Sequence, residues 1–91
     1  MALGDFTISS TSLTGSTVRH TGTCEAANGT EIAFGVQAVI NCVVTNADDQ
    51  ESAQVVLNSD DGTADTQAGS VYIVSAAADT DTWNFVLDSI V

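Results

Sequence analysis

Two cysteines are the most reactive side chains of this chain, and their spacing limits what they can do. Cys24 and Cys42 occupy the interiors of predicted strands, each on the more apolar face. If the two strands are neighbours, a disulfide would close a loop of about 18 residues and stabilise the fold by roughly 3 kcal/mol. The alternative is a pair of buried, reduced thiols that act as small apolar side chains. A zinc site is disfavoured, because the cysteines are widely spaced and His20 is the only other soft ligand.

His20 is the only histidine, and the chain contains no lysine. A nucleophile activated by His20 would need a Ser, Thr or Cys beside the imidazole and an acid to orient it. Cys24 lies four residues further on the same face of a strand, which places it about 13 Å away. We therefore expect a half-buried or interface histidine, no enzyme activity, no catalytic residues and no cofactor.

The acidic residues cluster in predicted turns. They are Asp48, Asp49 and Glu51, then Asp60, Asp61 and Asp65, and then Asp79 and Asp81. The segment that starts at Asn58 superficially resembles a calcium loop, but Gly62 comes one position early and Gly69 stands where the bidentate Glu belongs. An EF-hand is therefore excluded. Solvated turn carboxylates and a looser cation site between two turns both stay open, whereas paired carboxylates for acid/base catalysis would need an apolar cleft.

Asn28-Gly29-Thr30 has two interpretations. It fits the acceptor sequence for N-glycosylation, and Asn-Gly is also the strongest short hairpin signal in the chain. The hairpin turn needs no further machinery, so we expect a hairpin here.

The charge balance excludes several classes of partner. Twelve acidic residues oppose one basic residue, which gives a formal net charge of −11. One Arg cannot neutralise a row of phosphates, so we expect no nucleic-acid binding. We expect no membrane binding either, because no run of 18 apolar residues occurs and anionic headgroups would repel the surface. Since about 1 M salt reduces the Debye length to roughly 3 Å, this composition suits concentrated salt; an acidic surface kept for solubility is the alternative.

Length and periodicity predict a single small β domain. The 91 residues have a mass of 9.3 kDa, enough for one thin core and not for two domains. We therefore treat 1–91 as one domain. Short β-branched or alternating segments recur about every 10 residues, separated by Gly, Asn and Asp turns, at 6–8, 18–26, 31–34, 36–45, 52–58, 71–74 and 82–91. This pattern predicts an all-β fold, a small antiparallel β-sandwich or β-barrel of six to seven short strands.

The most apolar of these segments is 36–45. Val36, Ala38, Ile40, Cys42 and Val44 would share one face, and the other face also carries valines. An apolar strand of this kind is typically covered on both sides, so we expect it in the centre of a sheet. The chain has no Pro and no Lys, the residues that often protect sheet edges. Edges must therefore be protected by Asp, by short strands or by a partner.

The two ends of the chain resemble a family. The opening Met1-Ala2-Leu3-Gly4-Asp5-Phe6-Thr7-Ile8 resembles the start of a group of short virion structural proteins of tailed viruses of bacteria and archaea. The segment Trp83-Asn84-Phe85-Val86-Leu87 resembles the last strand of that group. The resemblance implies a capsid decoration (cement) protein or another small head or tail component. The acidic composition without lysine resembles that of a virus with a halophilic host.

The resemblance also implies partners and a location. The protein would be made in the host cytoplasm and would bind the major capsid protein or other virion proteins at the capsid surface. We expect residues 1–13 to form an N-terminal arm or an edge strand. The predicted interface comprises Ala2, Leu3, Gly4, Asp5, Phe6, Thr7 and Ile8, which would add a strand to a neighbour. A homo-oligomer is expected, with a trimer as the first choice.

The main alternative is a tail or turret component, or a module that binds a receptor or carbohydrate. That function predicts aromatic side chains exposed on a concave face, whereas decoration predicts that Trp83 and Tyr72 are buried or lie at a subunit contact.

Overall fold

The computed structural model describes residues 2–48, 50–75 and 80–90. These residues form seven β-strands and no helix. The strands are β1 (Phe6–Thr14), β2 (Thr17–Ala26), β3 (Thr30–Ala33), β4 (Ala38–Asn46), β5 (Gln54–Leu57), β6 (Ser70–Val74) and β7 (Asp81–Ile90). β-Branched Thr and Val pack well on a pleated surface. The predicted all-β fold is confirmed.

The strands form two antiparallel sheets that pack as a small β-sandwich. The larger sheet has the order β1-β2-β7-β4, and the smaller one has the order β3-β6-β5. β2 and β7 are therefore the central strands of the larger sheet. β1 and β4 are its two edges. No helix in the described part of the chain has the length and apolarity needed to cross a membrane.

The core follows the alternation that the sequence predicts for β2 and β7. Cys24 and Ala26 of β2 are buried, as are four alternate residues of β7, Trp83, Phe85, Leu87 and Ser89. The aromatic rings of Phe6, Phe34 and Phe85 meet between the sheets, with centroids 4.9 to 6.5 Å apart. The indole Nε1 of Trp83 donates a hydrogen bond to the carbonyl oxygen of Ala26 at 3.2 Å.

The position predicted for β4 is wrong. β4 lies at an edge of the larger sheet and not in its centre. A β-bulge between Val39 and Asn41 inserts one extra residue and switches the faces of the strand. Val39, Cys42 and Val44 consequently point into the core, whereas Ile40 is 47% exposed. The apolar residues on both faces reflect this switch and do not indicate a strand covered on both sides.

The hairpin predicted at Asn28-Gly29 is also wrong, although a turn is present. Thr30 N donates to the carbonyl oxygen of Ala27 at 3.2 Å, but β2 and β3 belong to different sheets. Gly29 has a φ of 83°, while Asn28 is not among the residues with positive φ. This combination is typical of a type II turn, whose twist does not match that of a two-residue hairpin. The turn therefore carries the chain across to the second sheet.

Candidate interaction surface

The two cysteines are free thiols, so the disulfide alternative is corrected. Cys24 and Cys42 are both buried and unpaired, because β7 lies between their strands. Burial raises the pKa of each thiol to about 12, with smaller contributions from Cys42 and Glu25 at Cys24 and from Asp88 at Cys42. Since the thiolate is the reactive form, both side chains act as small apolar core residues at neutral pH.

The remaining groups with catalytic potential are His20, which has a Thr hydroxyl beside it, and Ser89. His20 is half-buried, and its Nδ1 lies 3.0 Å from Oγ1 of Thr11. The buried Oγ of Ser89 has no hydrogen-bond partner. Across residues 2–48, 50–75 and 80–90 there is no ligand-sized cavity. The same residues contain no group of three His, Cys, Asp or Glu side chains that could hold a metal ion.

The carboxylates of Asp60 and Asp61 in the β5–β6 loop accept hydrogen bonds from within the loop. Thr66 Oγ1 lies 3.0 Å from Oδ1 of Asp60 and 3.3 Å from Oδ1 of Asp61. The backbone N–H of Thr63 donates to Asp61 Oδ1 at 2.8 Å. These hydrogen bonds hold the loop together. They agree with the interpretation of these acids as turn residues. Two of the predicted turn acids, Asp49 and Asp79, lie outside the described residues.

Asn28 lies at the exposed tip of its turn. Its Oδ1 accepts a hydrogen bond from the backbone N–H of Ser75 at 3.3 Å. Thr30, the third residue of the glycosylation sequence, is buried, and its Oγ1 accepts from the N–H of Ala27 at 2.9 Å. The Thr30 hydroxyl therefore stabilises the turn by accepting this hydrogen bond.

Four of the five aromatic residues anchor the core. Trp83, Phe34 and Phe85 are buried, and Phe6 and Tyr72 are half-buried. Tyr72 lies on the outer face of the smaller sheet, close to Gly29 and Gly62. None of the five presents a fully exposed ring for stacking on a ligand.

One edge of the larger sheet is open. We use the name β1 edge for the nine residues Phe6–Thr14, which pair with β2 on one side and with no described strand on the other. All of them except Phe6 are exposed. The strand contains a β-bulge between Ile8 and Ser10, but no charged residue and no Pro. It is a long, neutral edge strand, which is the kind that recruits another strand.

The core-facing side of the β1 edge extends beyond the smaller sheet. Phe6 packs on the rings of Phe34 and Phe85. Further along, Ile8 and Leu13 lie opposite Gly22 and Val18 of β2, yet they are 43% and 77% exposed. Apolar side chains on the inner face of a sandwich are normally covered by the second sheet. Here they form an apolar overhang, which we define as Ile8 and Leu13.

The predicted interface segment 2–8 is bound to this chain's own sheet. Gly4 N donates to the carbonyl oxygen of Glu25 at 2.9 Å, and Glu25 N donates to that of Asp5 at 2.9 Å. The side chain of Phe6 packs against the core, whereas Leu3 and Ile8 are exposed. Of the two forms expected for residues 1–13, the described part takes the form of an edge strand.

The opposite edge of the sheet is closed. The side-chain amide of Asn58 pairs with both backbone groups of Val39: Val39 N donates to Oδ1 at 2.9 Å, and Nδ2 donates to the Val39 carbonyl oxygen at 3.0 Å. At the other end of β4, Asn46 N donates to the Glu51 carbonyl oxygen at 2.7 Å. An isolated bridge joins Thr45 to Ser52. β4 therefore has little free backbone along its outer side.

The charged side chains are also distributed unevenly along the chain, and the β1 strand lies in the part without acids. All twelve acidic residues lie outside the 19-residue segment 6–24, which is the longest part of the sequence without an acid. This segment holds Arg19 and His20, the chain's only Arg and only His. Arg19 pairs with Asp88 of β7, with Nε to Oδ1 at 2.8 Å and Nη2 to Oδ2 at 3.1 Å. The β1–β2 hairpin is thus the near-neutral part of a strongly acidic molecule.

A comparison of the chain with protein-family models, curated proteins and solved structures finds no significant match in any of the three. The family resemblance of the two chain ends therefore stays a prediction.

Proposed function

We propose that this protein is a viral structural protein, a capsid decoration (cement) subunit that binds and stabilises the head shell through protein–protein contacts. The observation that carries the proposal is the β1 edge, an open, uncharged strand on a molecule of net charge −11. Its partners are the major capsid protein, other virion proteins or further copies of the chain. Its chemistry is association and not catalysis.

The physical reason is the cost of leaving such an edge open. Unpaired N–H and C=O groups along an edge strand attract another strand, and natural proteins block them with Lys, Pro, short strands or covering segments. The β1 edge has none of these; of the devices that protect edge strands it carries only the β-bulge between Ile8 and Ser10. A subunit that works inside an assembly needs no such block, because a neighbour covers the edge by adding a strand.

The alternative is a tail or turret component, or a module that binds a receptor or carbohydrate. A carbohydrate-binding face would present aromatic rings to solvent, whereas Trp83 is buried and Tyr72 is half-buried. The burial of Trp83 favours the decoration function over the binding module, whereas Tyr72, on the outer face of the smaller sheet, does not distinguish the two. A tail component would use the same kind of contact as a decoration protein, so the number of copies per particle separates the two.

The acidic surface supports a halophilic host as part of the proposal. A net charge of −11 on 4845 Å² of surface repels itself in dilute buffer and is screened in concentrated salt. We expect the thermal midpoint to rise between about 0.1 M and about 2 M KCl. An unchanged midpoint would contradict the halophilic part of the proposal.

The decisive experiment is to measure the copy number of the protein in purified particles by quantitative mass spectrometry. A stoichiometry that matches the shell lattice supports decoration. A handful of copies per particle contradicts decoration and supports the tail alternative, and absence from the particles contradicts both.

A further inference from the structure

The β1 edge lies in the part of the sequence that has no acidic residues, and this limits which partner can pair with it. Segment 6–24 carries no acid and one Arg, so the remaining residues carry all twelve negative charges. Contact between two copies through the β5–β6 loop would oppose Asp60 and Asp61 of one copy to those of the other. Like charges placed against each other across an interface are unfavourable. β1 and β4 are both nine residues long and carry no carboxylate. Because β4 is covered by Asn58 and by the chain that leads into β5, the β1 edge is the strand through which two copies can meet without opposing their carboxylates.

From this we infer that β1 pairs antiparallel with β1 of a second copy across a twofold axis, which joins two four-stranded sheets into one eight-stranded sheet. The inference rests on the proposed function, in that it names the neighbour that covers the β1 edge. A twofold interface uses the same patch on both copies, so the patch must complement itself.

The apolar overhang complements itself in this arrangement. Antiparallel pairing reverses the residue order, so the first half of one β1 lies along the second half of the other. A pairing centred near Ser10 places Ile8 of each copy close to Leu13 of the other. Both residues lie on the core-facing side of β1, so the two overhangs cover each other. Leu13, which is 77% exposed in the isolated chain, loses most of its contact with water.

Charge also predicts how the pairing responds to salt. Each copy carries a net charge of −11, and the Debye length falls from about 8 Å at 0.15 M to about 3 Å at 1 M salt. Added salt therefore weakens the repulsion between copies while the strand pairing and the apolar contact remain. A contact with a basic partner would respond in the opposite sense, because salt would screen an attraction.

The test is analytical ultracentrifugation of the full chain in about 0.15 M and about 2 M KCl. We expect dimers whose dissociation constant falls as salt rises. The double variant Ile8→Lys/Leu13→Lys places two charges on the overhang and is expected to weaken the dimer at least tenfold. The matched control is Ile40→Lys/Val43→Lys, which makes the same charge change at exposed apolar positions of β4 and is expected to leave the dimer intact. Circular dichroism establishes that both variants are folded.

A cross-link gives a second readout. Ser10→Cys places a thiol near the proposed axis, whereas the native thiols of Cys24 and Cys42 are buried. Mild oxidation is expected to produce covalent dimers of Ser10→Cys, and the same treatment of Val43→Cys is expected to leave monomers. Equal cross-linking of the two variants would contradict the assignment to β1.

The outcomes also separate this inference from the proposed function. A wild-type monomer at every salt concentration, a trimer, or loss of the dimer in the β4 variant alone would overturn the β1–β1 pairing. If the chain is monomeric yet decorates particles at the shell stoichiometry, the pairing fails and the function stands. If it dimerises through β1 yet is absent from particles, the pairing stands and the function fails.

Discussion

The two edges of the larger sheet are alike in sequence and opposite in environment. β1 (Phe6–Thr14) and β4 (Ala38–Asn46) each have nine residues, no charged side chain and one β-bulge. β4 is covered on its outer side by the Asn58 amide and by the chain that leads into β5. The outer side of β1 has no described strand beside it. Local sequence therefore does not determine whether an edge strand is open or closed.

The comparison shows how this molecule protects an edge without Lys or Pro. On β4 the protection is tertiary, since one side-chain amide supplies the donor and the acceptor that a neighbouring strand would supply. Among the described residues no such group lies beside β1, so its protection beyond the bulge would come from the proposed partner. Substitutions at the two edges are therefore expected to differ in what they cost the fold.

The first prediction concerns the contact that seats β1 on the sheet. A Cβ at Gly22 would lie 1.9 Å from the carbonyl oxygen of Thr7 and 3.0 Å from Cα of Ile8. Because these are backbone atoms, Gly22→Ala must displace β1 from β2, and we expect a loss of about 3 kcal/mol in the free energy of unfolding. Urea denaturation measures this loss.

The control for that variant is Gly15→Ala. A Cβ at Gly15 has no neighbour within 4 Å, but the φ of 63° is unfavourable for Ala, so we expect a loss of about 1 kcal/mol. Equal stabilities of the two variants would show that β1 is not held tightly at Gly22.

The second prediction removes the cap of β4. Asn58 makes two hydrogen bonds with Val39 and accepts a third from Gly69 N at 3.1 Å. Asn58→Ala leaves partly buried backbone groups unpaired and puts Ala at a φ of 54°, so we expect a loss of about 3 kcal/mol. Asn58→Gly avoids the backbone strain, and its loss should be about 1 kcal/mol smaller.

Hydrogen exchange shows where the Asn58 substitutions weaken the structure. The amide of Val39 should exchange faster in both Asn58 variants than in the wild type, because its acceptor is gone. Unchanged protection at Val39 would contradict the role of Asn58 as the cap. Ser10→Ala on the open β1 edge is expected to change stability by less than about 0.5 kcal/mol.

The third prediction compares apolar side chains on the inner faces of the two edges. Val44 of β4 is buried, whereas Leu13 of β1 is largely exposed. Val44→Ala should cost about 2 kcal/mol through lost burial and a cavity. Leu13→Ala should cost less than about 0.5 kcal/mol at low salt and at protein concentrations below the dissociation constant of the proposed dimer. A large loss for Leu13→Ala under those conditions would mean that this chain itself covers the overhang.

The smallest expected effect is on how the thermal midpoint depends on pH in the acidic range. The hydrogen bond from Arg19 lowers the pKa of Asp88 below its usual value, burial opposes this, and the Arg19 charge and a hydrogen bond from Asn41 of β4 support it. Since the folded pKa lies below the unfolded one, the stabilisation is present above the unfolded pKa and is lost as pH falls through the folded pKa. Asp88→Asn should flatten the dependence of the thermal midpoint on pH in this acidic range. An unchanged slope would show that the Arg19 pair adds nothing.

Period-2 patterns predicted much of the fold. The alternation in 18–26 and the face shared by Trp83, Phe85 and Leu87 predict the buried faces of β2 and β7 correctly, because a strand with one buried face must alternate. The strand 36–45 was misplaced because the bulge beside Ile40 makes an edge strand resemble a fully buried one. A bulge has no reliable sequence signal, because the extra residue is defined only by how the strand pairs with its neighbour.

The candidate surface was only partly accessible to sequence reasoning. The segment from Ala2 to Ile8 was singled out through a resemblance, and it overlaps the β1 edge. A physical signal was present in the acid-free segment 6–24, which could have identified the whole hairpin as the exceptional part of the surface. Leu13, the most exposed large apolar residue described, ends the segment 1–13 that the sequence predicts as an arm or edge strand, but a lone Leu beside a turn has no pattern that marks it individually as a contact.

The amino-acid sequence alone determined an all-strand domain with one thin core, a strongly acidic surface and a near-neutral hairpin. These properties depend on composition and on local alternation, which act over a few residues. Only the tertiary structure decided that β4 is closed, that β1 is open and that β7 keeps the two thiols apart. The physical reason is that strand order and edge capping depend on contacts between residues far apart in the chain, such as Asn58 with Val39, and no local pattern encodes which distant segment arrives.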